Sequence, residues 1–138
     1  MDRLMKLGLE SLTLGLLSSE RYYNKSLIIF NSASLCGFTD QLLSLQKIYE
    51  SGNAIPIALP TNVFGNQEPG DDIEINQHYQ NNYGVTFPIA KKTDLTHNIF
   101  QQYGKPSWNF NKYVFDRQHR FVTRYDSKTL PEEIKLDV

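Results

Sequence analysis

The chain has 138 residues, enough for one domain spanning 1–138 that buries about two-thirds of the surface its unfolded form exposes. Fourteen basic against fifteen acidic residues leave a formal charge of −1, which removes any overall pull toward nucleic acid or anionic lipid. With 40% hydrophobic and 21% charged residues the composition is that of a globular protein, and no run of roughly 18 uncharged apolar residues offers an integral membrane segment.

In chain order, Met1 to Lys6 precede a leucine-rich stretch in the basic-then-apolar order of a secretory signal. Glu10, Ser11 and Thr13 interrupt that stretch, so it reads as a first strand or hairpin. Residues 27–32 form a short apolar run with β-branched and aromatic members, which suits a central strand covered on both faces. From Thr39 or Asp40 the spacing of Leu42, Leu43, Leu45, Ile48 and Tyr49 predicts a helix that stops at Gly52. Residues 54–59 give another strand, weakened at its start by Pro56, which has no N–H for a ladder. A loop rich in Gly and Pro leads to Asp71 and Asp72, caps of a second helix over 72–82 that ends before Gly84. Further on, 85–89 reads as a strand and 95–103 as a helix. Residues 109–115 and 121–125 read as a hairpin joined by a longer loop. Strands alternating with helices and closing in a hairpin predict an α/β fold, a mixed sheet with helices on its faces and a site beyond the carboxyl ends of the first parallel strands.

The only cysteine, Cys36, lies where the 27–32 strand gives way to the first long helix. The start of a helix presents unpaired N–H groups and the positive end of its dipole, which favour a thiolate over a thiol. A single thiol forms no internal disulfide and fits a reducing compartment, so a cytoplasmic location is expected over a periplasmic or secreted one. Gln67, in a loop that follows the next strand, offers an NH₂ donor pair, and Trp108-Asn109, at the expected start of a strand, adds an indole N–H and a second amide. Such neutral donors suit a sulfur anion and then a leaving oxyanion. Each of these residues alone has a plainer reading, as a solvated loop Gln or a core-edge Trp. His78, His97 and His119 lie far apart without partners at metal-ligand spacing and read as surface residues. A Cys-His hydrolase or transferase would need one of them brought to Cys36.

Taken together, three segments resemble the glutathione peroxidase family. Asn31-Ser32-Ala33-Ser34-Leu35-Cys36-Gly37-Phe38-Thr39 looks like the segment around its peroxidatic cysteine or selenocysteine. Pro60-Thr61-Asn62-Val63-Phe64-Gly65-Asn66-Gln67-Glu68-Pro69-Gly70 resembles its second motif, and Trp108-Asn109-Phe110-Asn111-Lys112-Tyr113 its third. Asn82-Tyr83-Gly84-Val85-Thr86-Phe87-Pro88 is similar to a fourth shared segment. The resemblance implies a thioredoxin-like mixed sheet with helices on both faces and a catalytic set of Cys36, Gln67, Trp108 and Asn109. It also implies a thiol-dependent peroxidase acting on hydrogen peroxide or organic and lipid hydroperoxides. Such an enzyme needs no cofactor and uses glutathione or a thioredoxin-type reductant as co-substrate. Departures accompany it. Tyr79 occupies the position where many cysteine-type members carry a resolving cysteine, and Thr61 and Val63 replace a common Cys and Gln. The stretch between Cys36 and Gln67 is about one helical turn short, and 92–108 and the segment after Pro131 look trimmed. A monomer is the expectation that goes with the shorter middle loop. Without a second sulfur, an oxidised Cys36 needs an external thiol. The alternative on the same fold is a non-catalytic or weakly active redox-sensing or binding domain.

Overall fold

A computed structural model describes residues 2–136. At its centre is strand β3 (Ser26–Ser32), and every residue of that strand is buried. Its pleat sends successive side chains to opposite faces. Ile28 and Phe30 join Leu42, Leu45, Ile75 and Tyr79 on one face, while Leu27 and Ile29 join Leu4, Leu9, Leu17, Ile99 and Phe100 on the other. An unbroken apolar run is what a strand with no solvent face requires. The first cluster is covered by helices α2 (Gln41–Ser51) and α3 (Asp72–Tyr83). The second is covered by helix α1 (Arg3–Leu7), the small hairpin β1 (Glu10–Ser11) and β2 (Gly15–Leu16), and helix α4 (Asn98–Tyr103). The hairpin falls where the sequence placed it; α1, capped by Asp2 and closed by Gly8, precedes it unforeseen.

The main sheet runs β4-β3-β5-β6, with β4 (Ala54–Pro60) parallel to β3 and with β5 (Lys112–Phe115) and β6 (Phe121–Tyr125) added antiparallel. The expected strand over 85–89 is absent, and prolines explain why. Ala58 donates to Pro88 O at 3.0 Å and accepts from Ala90 N at 2.7 Å, so the outer edge of β4 begins a parallel ladder there. In that register the two preceding rungs would need N–H groups from Pro56 and Pro88, which have none. Among the described residues isolated bridges remain, Ile89 to Ala58, Ala90 to Ser11 and, farther along, Thr93 to Thr61. The same geometry lets Pro56 sit inside a strand, because its nitrogen faces away from β3.

Two further boundaries differ from expectation. Helix α4 starts at Asn98 rather than at residue 95, because the Asp94 carboxylate accepts the Thr96 N–H and hydroxyl and holds a turn before His97 caps the helix. Strand β5 starts at Lys112 rather than at residue 109, because Phe110 takes a φ of +62° in a turn bound to Asn31. His119 is buried rather than superficial, with Nε2 at 3.1 and 3.0 Å from the Tyr22 and Lys25 carbonyls.

Lys112, fully buried at the start of β5, donates to the carbonyls of Asp126, Ser127 and Thr129 and so gathers the loop that follows β6. Burial pushes its pKa down from 10.5 to about 8, against the attraction of Asp126 and Glu133. Between those two values the unfolded chain holds more protons than the folded one, so stability gains with rising pH. Urea unfolding of the wild type and Lys112→Met should therefore show the difference moving in favour of the wild type as pH climbs through that window. A pH-independent difference would contradict this assignment.

Candidate active site

Cys36 lies between the end of β3 and the start of α2, five residues ahead of the helix's first residue. Bonds from Thr39 N to Cys36 O, Gln41 N to Phe38 O, Leu42 N to Thr39 O and Leu43 N to Asp40 O, all at 3.0–3.1 Å, span three residues each. A tighter helical turn thus prefaces α2, and Cys36 stands at its head. Its Sγ accepts the Phe38 N–H at 3.4 Å, in the way an N-cap oxygen would. Its own N–H donates to Thr39 Oγ1 at 3.1 Å, and the Thr39 hydroxyl donates to Ala33 O at 2.8 Å. These bonds fix the loop on both sides of a sulfur whose residue is only 8% exposed.

The loop after β4 turns through Gly65 and Asn66, both at positive φ, and brings Gln67 to this place. Gln67 O accepts the N–H of Leu35, the residue before Cys36, at 3.0 Å. The Gln67 side-chain oxygen accepts from Asn109 Nδ2 at 3.0 Å, and Nδ2 also reaches Phe64 O at 3.4 Å. Both side-chain donors of Asn109 are therefore spent on the Gln67 loop, so Asn109, completely buried, orients Gln67 and has no side-chain N–H left for the sulfur. The Gln67 NH₂ makes no hydrogen bond among the described residues, and neither does the Trp108 indole N–H. The Trp108 ring packs on Phe64 with centroids 5.5 Å apart and stays 36% exposed. The structure thus brings the Cys36, Gln67 and Trp108-Asn109 segments to one end of the sheet and leaves two neutral donors there unused.

Behind the loop lies a buried acid that sequence reasoning did not single out. Glu68, 1% exposed, accepts from the Ser34 hydroxyl at 2.5 Å and from the Tyr79 hydroxyl, and its N–H donates to Asn62 Oδ1 at 2.8 Å. Tyr79, itself wholly buried, lies 2.8 Å from Ser32 Oγ. Burial raises the Glu68 pKa against the pull of the Ser34 and Tyr79 hydrogen bonds. Burial and the neighbouring carboxylate hold Tyr79 well above its ordinary 10. An acid next to a glycine- and proline-rich loop reads as solvated, so the sequence carries no signal of this arrangement; only the apolar placing of Tyr79 on α3 hinted at burial.

The histidines make no hydrogen bond to Cys36. His78 pairs with Asn82, His97 caps α4, and His119 meets the Tyr22 and Lys25 carbonyls. Among the described residues no group of three or more His, Cys, Asp or Glu side chains could hold a metal ion, and no helix is long and apolar enough to cross a membrane.

Comparison with known proteins gives a consistent relation. Residues 8–105 match the family profile described as Glutathione peroxidase. The chain is 38% identical over 135 residues to the glutathione peroxidase homolog BsaA of Bacillus subtilis, covering 85% of this chain and 84% of that protein. It is 38% identical over 130 residues to the glutathione peroxidase-like peroxiredoxin gpx1 of Schizosaccharomyces pombe, covering 83% and 82%. To the hydroperoxy fatty acid reductase gpx1 of Synechocystis it is 36% identical over 140 residues, covering 85% and 82%. Among solved structures, T. cruzi GPX1 superposes with a TM-score of 0.65 at 20% identity over 91% of this chain and 86% of that one. A thioredoxin-like protein from Aeropyrum pernix superposes with a TM-score of 0.67 at 14% identity over 90% and 83%. These two likenesses establish a thioredoxin-like fold.

Gly65 has a φ of +68°, and a Cβ there would stand 3.1 Å from Trp108 Cη2. Gly65→Ala is expected to cost about 1–2 kcal/mol from the left-handed backbone and to displace the Trp108 ring. Because Trp108 is the only tryptophan, a changed emission spectrum in the folded variant checks the displacement directly.

Proposed function

Since the chain belongs to the glutathione peroxidase family, whose activity is thiol-dependent peroxide reduction, we propose that Cys36 is the sulfur that is oxidised and that Gln67 and Trp108 serve the reacting peroxide. The observation that carries this reading is the Asn109–Gln67 bond, which spends the Gln67 oxygen and leaves its NH₂ free in the loop bonded to Leu35 beside Cys36. The Cys36 thiolate attacks one peroxide oxygen in line; the S–O bond forms as the O–O bond breaks, giving a sulfenic acid and an alkoxide or hydroxide that takes up a proton. The Phe38 N–H supports the sulfur before attack. The Gln67 amide and the Trp108 indole N–H supply neutral donors where negative charge builds on the departing oxygen. Asn109 belongs to the set as the residue that aims Gln67.

Regeneration falls to an external thiol, since the chain has one cysteine. A first thiol condenses with the sulfenic acid, releasing water and leaving a mixed disulfide. A second thiol displaces Cys36 and departs as the oxidised disulfide. Glutathione and a thioredoxin-type protein are the two candidate reductants, and a reducing compartment such as the cytoplasm supplies both. The substrate named for the Synechocystis relative makes a hydroperoxy fatty acid the organic peroxide to compare with hydrogen peroxide.

Stopped-flow oxidation of the reduced protein tests the assignment. Cys36→Ser should abolish the reaction, and Gln67→Ala and Trp108→Phe should each slow it on the order of ten- to a thousandfold, as loss of an oxyanion donor does. Wild-type rates in both donor variants would sink it.

A further inference from the structure

Glu68 is an expensive residue. A carboxyl group taken almost wholly out of water is costly unless hydrogen bonds restore what water supplied, and an apolar side chain of similar size would cost less. Its hydrogen-bond partners are neutral, the hydroxyls of Ser34 and Tyr79; the nearby His78 attracts it electrostatically, and no cation bonds to it among the described residues. Those partners lie on different segments. Ser34 belongs to the loop that carries Cys36, and Tyr79 to the middle of α3. Tyr79 is hydrogen-bonded in turn to Ser32 at the end of β3. Glu68 itself directly follows Gln67, whose backbone carbonyl binds Leu35 and whose side-chain oxygen binds Asn109. The Asn62 side chain holds the Glu68 N–H from the other end of the loop.

We propose that Glu68 is a positioning residue for peroxide reduction: its two carboxylate oxygens, gripped by Ser34 and Tyr79, lock the Gln67 loop against the Cys36 loop and so set where the Gln67 amide meets the peroxide. The inference rests on the reading of Gln67 as a donor. Two oxygens are needed because two segments are being joined, and short directional bonds fix an angle that apolar packing would leave free. Placing a donor within a fraction of an ångström matters because small displacements from the reacting geometry carry large penalties in rate. Asn109 fixes the tip of the Gln67 side chain, and Glu68 fixes its base. Glu68 touches neither sulfur nor substrate in this role.

The experiment compares two reactions of Cys36 in the reduced full-length protein at one pH, oxidation by hydrogen peroxide followed through Trp108 fluorescence and alkylation by iodoacetamide. Gln67 serves the peroxide and not the alkylating agent, so Glu68→Gln and Tyr79→Phe should slow oxidation by about ten- to a hundredfold while alkylation stays near the wild-type rate. Adding Glu68→Gln to Gln67→Ala should produce no further slowing, because both changes remove the same donor. Tyr79→Phe keeps the ring in its place and reads the contact even where Glu68→Gln impairs folding. Oxidation at the wild-type rate in Glu68→Gln and Tyr79→Phe, with Gln67→Ala still slow, overturns the positioning role alone. Losses that simply multiply in the double variant, or equal losses in both reactions, also overturn it. A wild-type rate in Gln67→Ala removes the donor reading, and this inference with it.

Discussion

Asn31 ties together the two halves of the site. It lies one residue before the end of β3, 1% exposed, and its backbone oxygen, side-chain oxygen and amide all bond the turn that precedes β5. Its backbone oxygen accepts from Phe110 N at 2.6 Å, its side-chain oxygen accepts from Asn111 N at 3.0 Å, and its amide donates to Trp108 O at 2.8 Å. Each of these groups would cost about 1–3 kcal/mol if buried without a partner. The turn therefore cannot relax away from β3 without orphaning several of them. β3 leads onward to Cys36, so one amide side chain sets the Trp108-Asn109 turn relative to the sulfur, and Asn109 in turn sets Gln67.

The legible part of this arrangement was whatever depends on side-chain character over short spans. The 27–32 strand, the helix closed by Gly52, the capping of the helix near Asp71 and the 121–125 strand were all written in apolar spacing, Gly and Asp. What escaped depended on partners distant in the chain. Residues 85–89 are apolar enough for a strand, but pairing required donors from Pro56 and Pro88, and that conflict exists only once the two segments are adjacent. The start of β5 moved because Asn31, nearly eighty residues earlier, holds Phe110 in a left-handed turn. Of the site, the residue types and their order were readable. The division of labour was not, because the commitment of both Asn109 side-chain N–H groups to the Gln67 loop joins residues more than forty positions apart.

The chemistry the fold supports is economical in charge. The sulfur accepts a backbone N–H, the Gln67 and Trp108-Asn109 segments meet at the same end of the sheet, and the acid nearest to them in sequence, Glu68, is bound to hydroxyls. Neutral donors can meet a departing oxyanion without bringing a charge of their own. Tyr79 completes the contrast. The family resemblance marks that place for a second sulfur, and here a phenol locked to Glu68 and Ser32 fills it. No thiol on α3 competes with an incoming reductant, so in the proposed cycle the whole reductive half is an encounter between Cys36 and another molecule.

The prolines of β4 reach beyond the question of which residues form a strand. A sheet edge with alternating free donors and acceptors invites a stranger's strand to continue it, and a thioredoxin-like sheet presents such an edge on β4. Pro56 and Pro60 strip the outward donors from either side of Ala58, and the one rung left between them is already taken by Pro88 and Ala90. Along this side the sheet is nearly finished: the Pro60 carbonyl is taken by Thr93 N at 2.9 Å, and a second molecule meeting the edge finds no run of alternating donors and acceptors to zip onto.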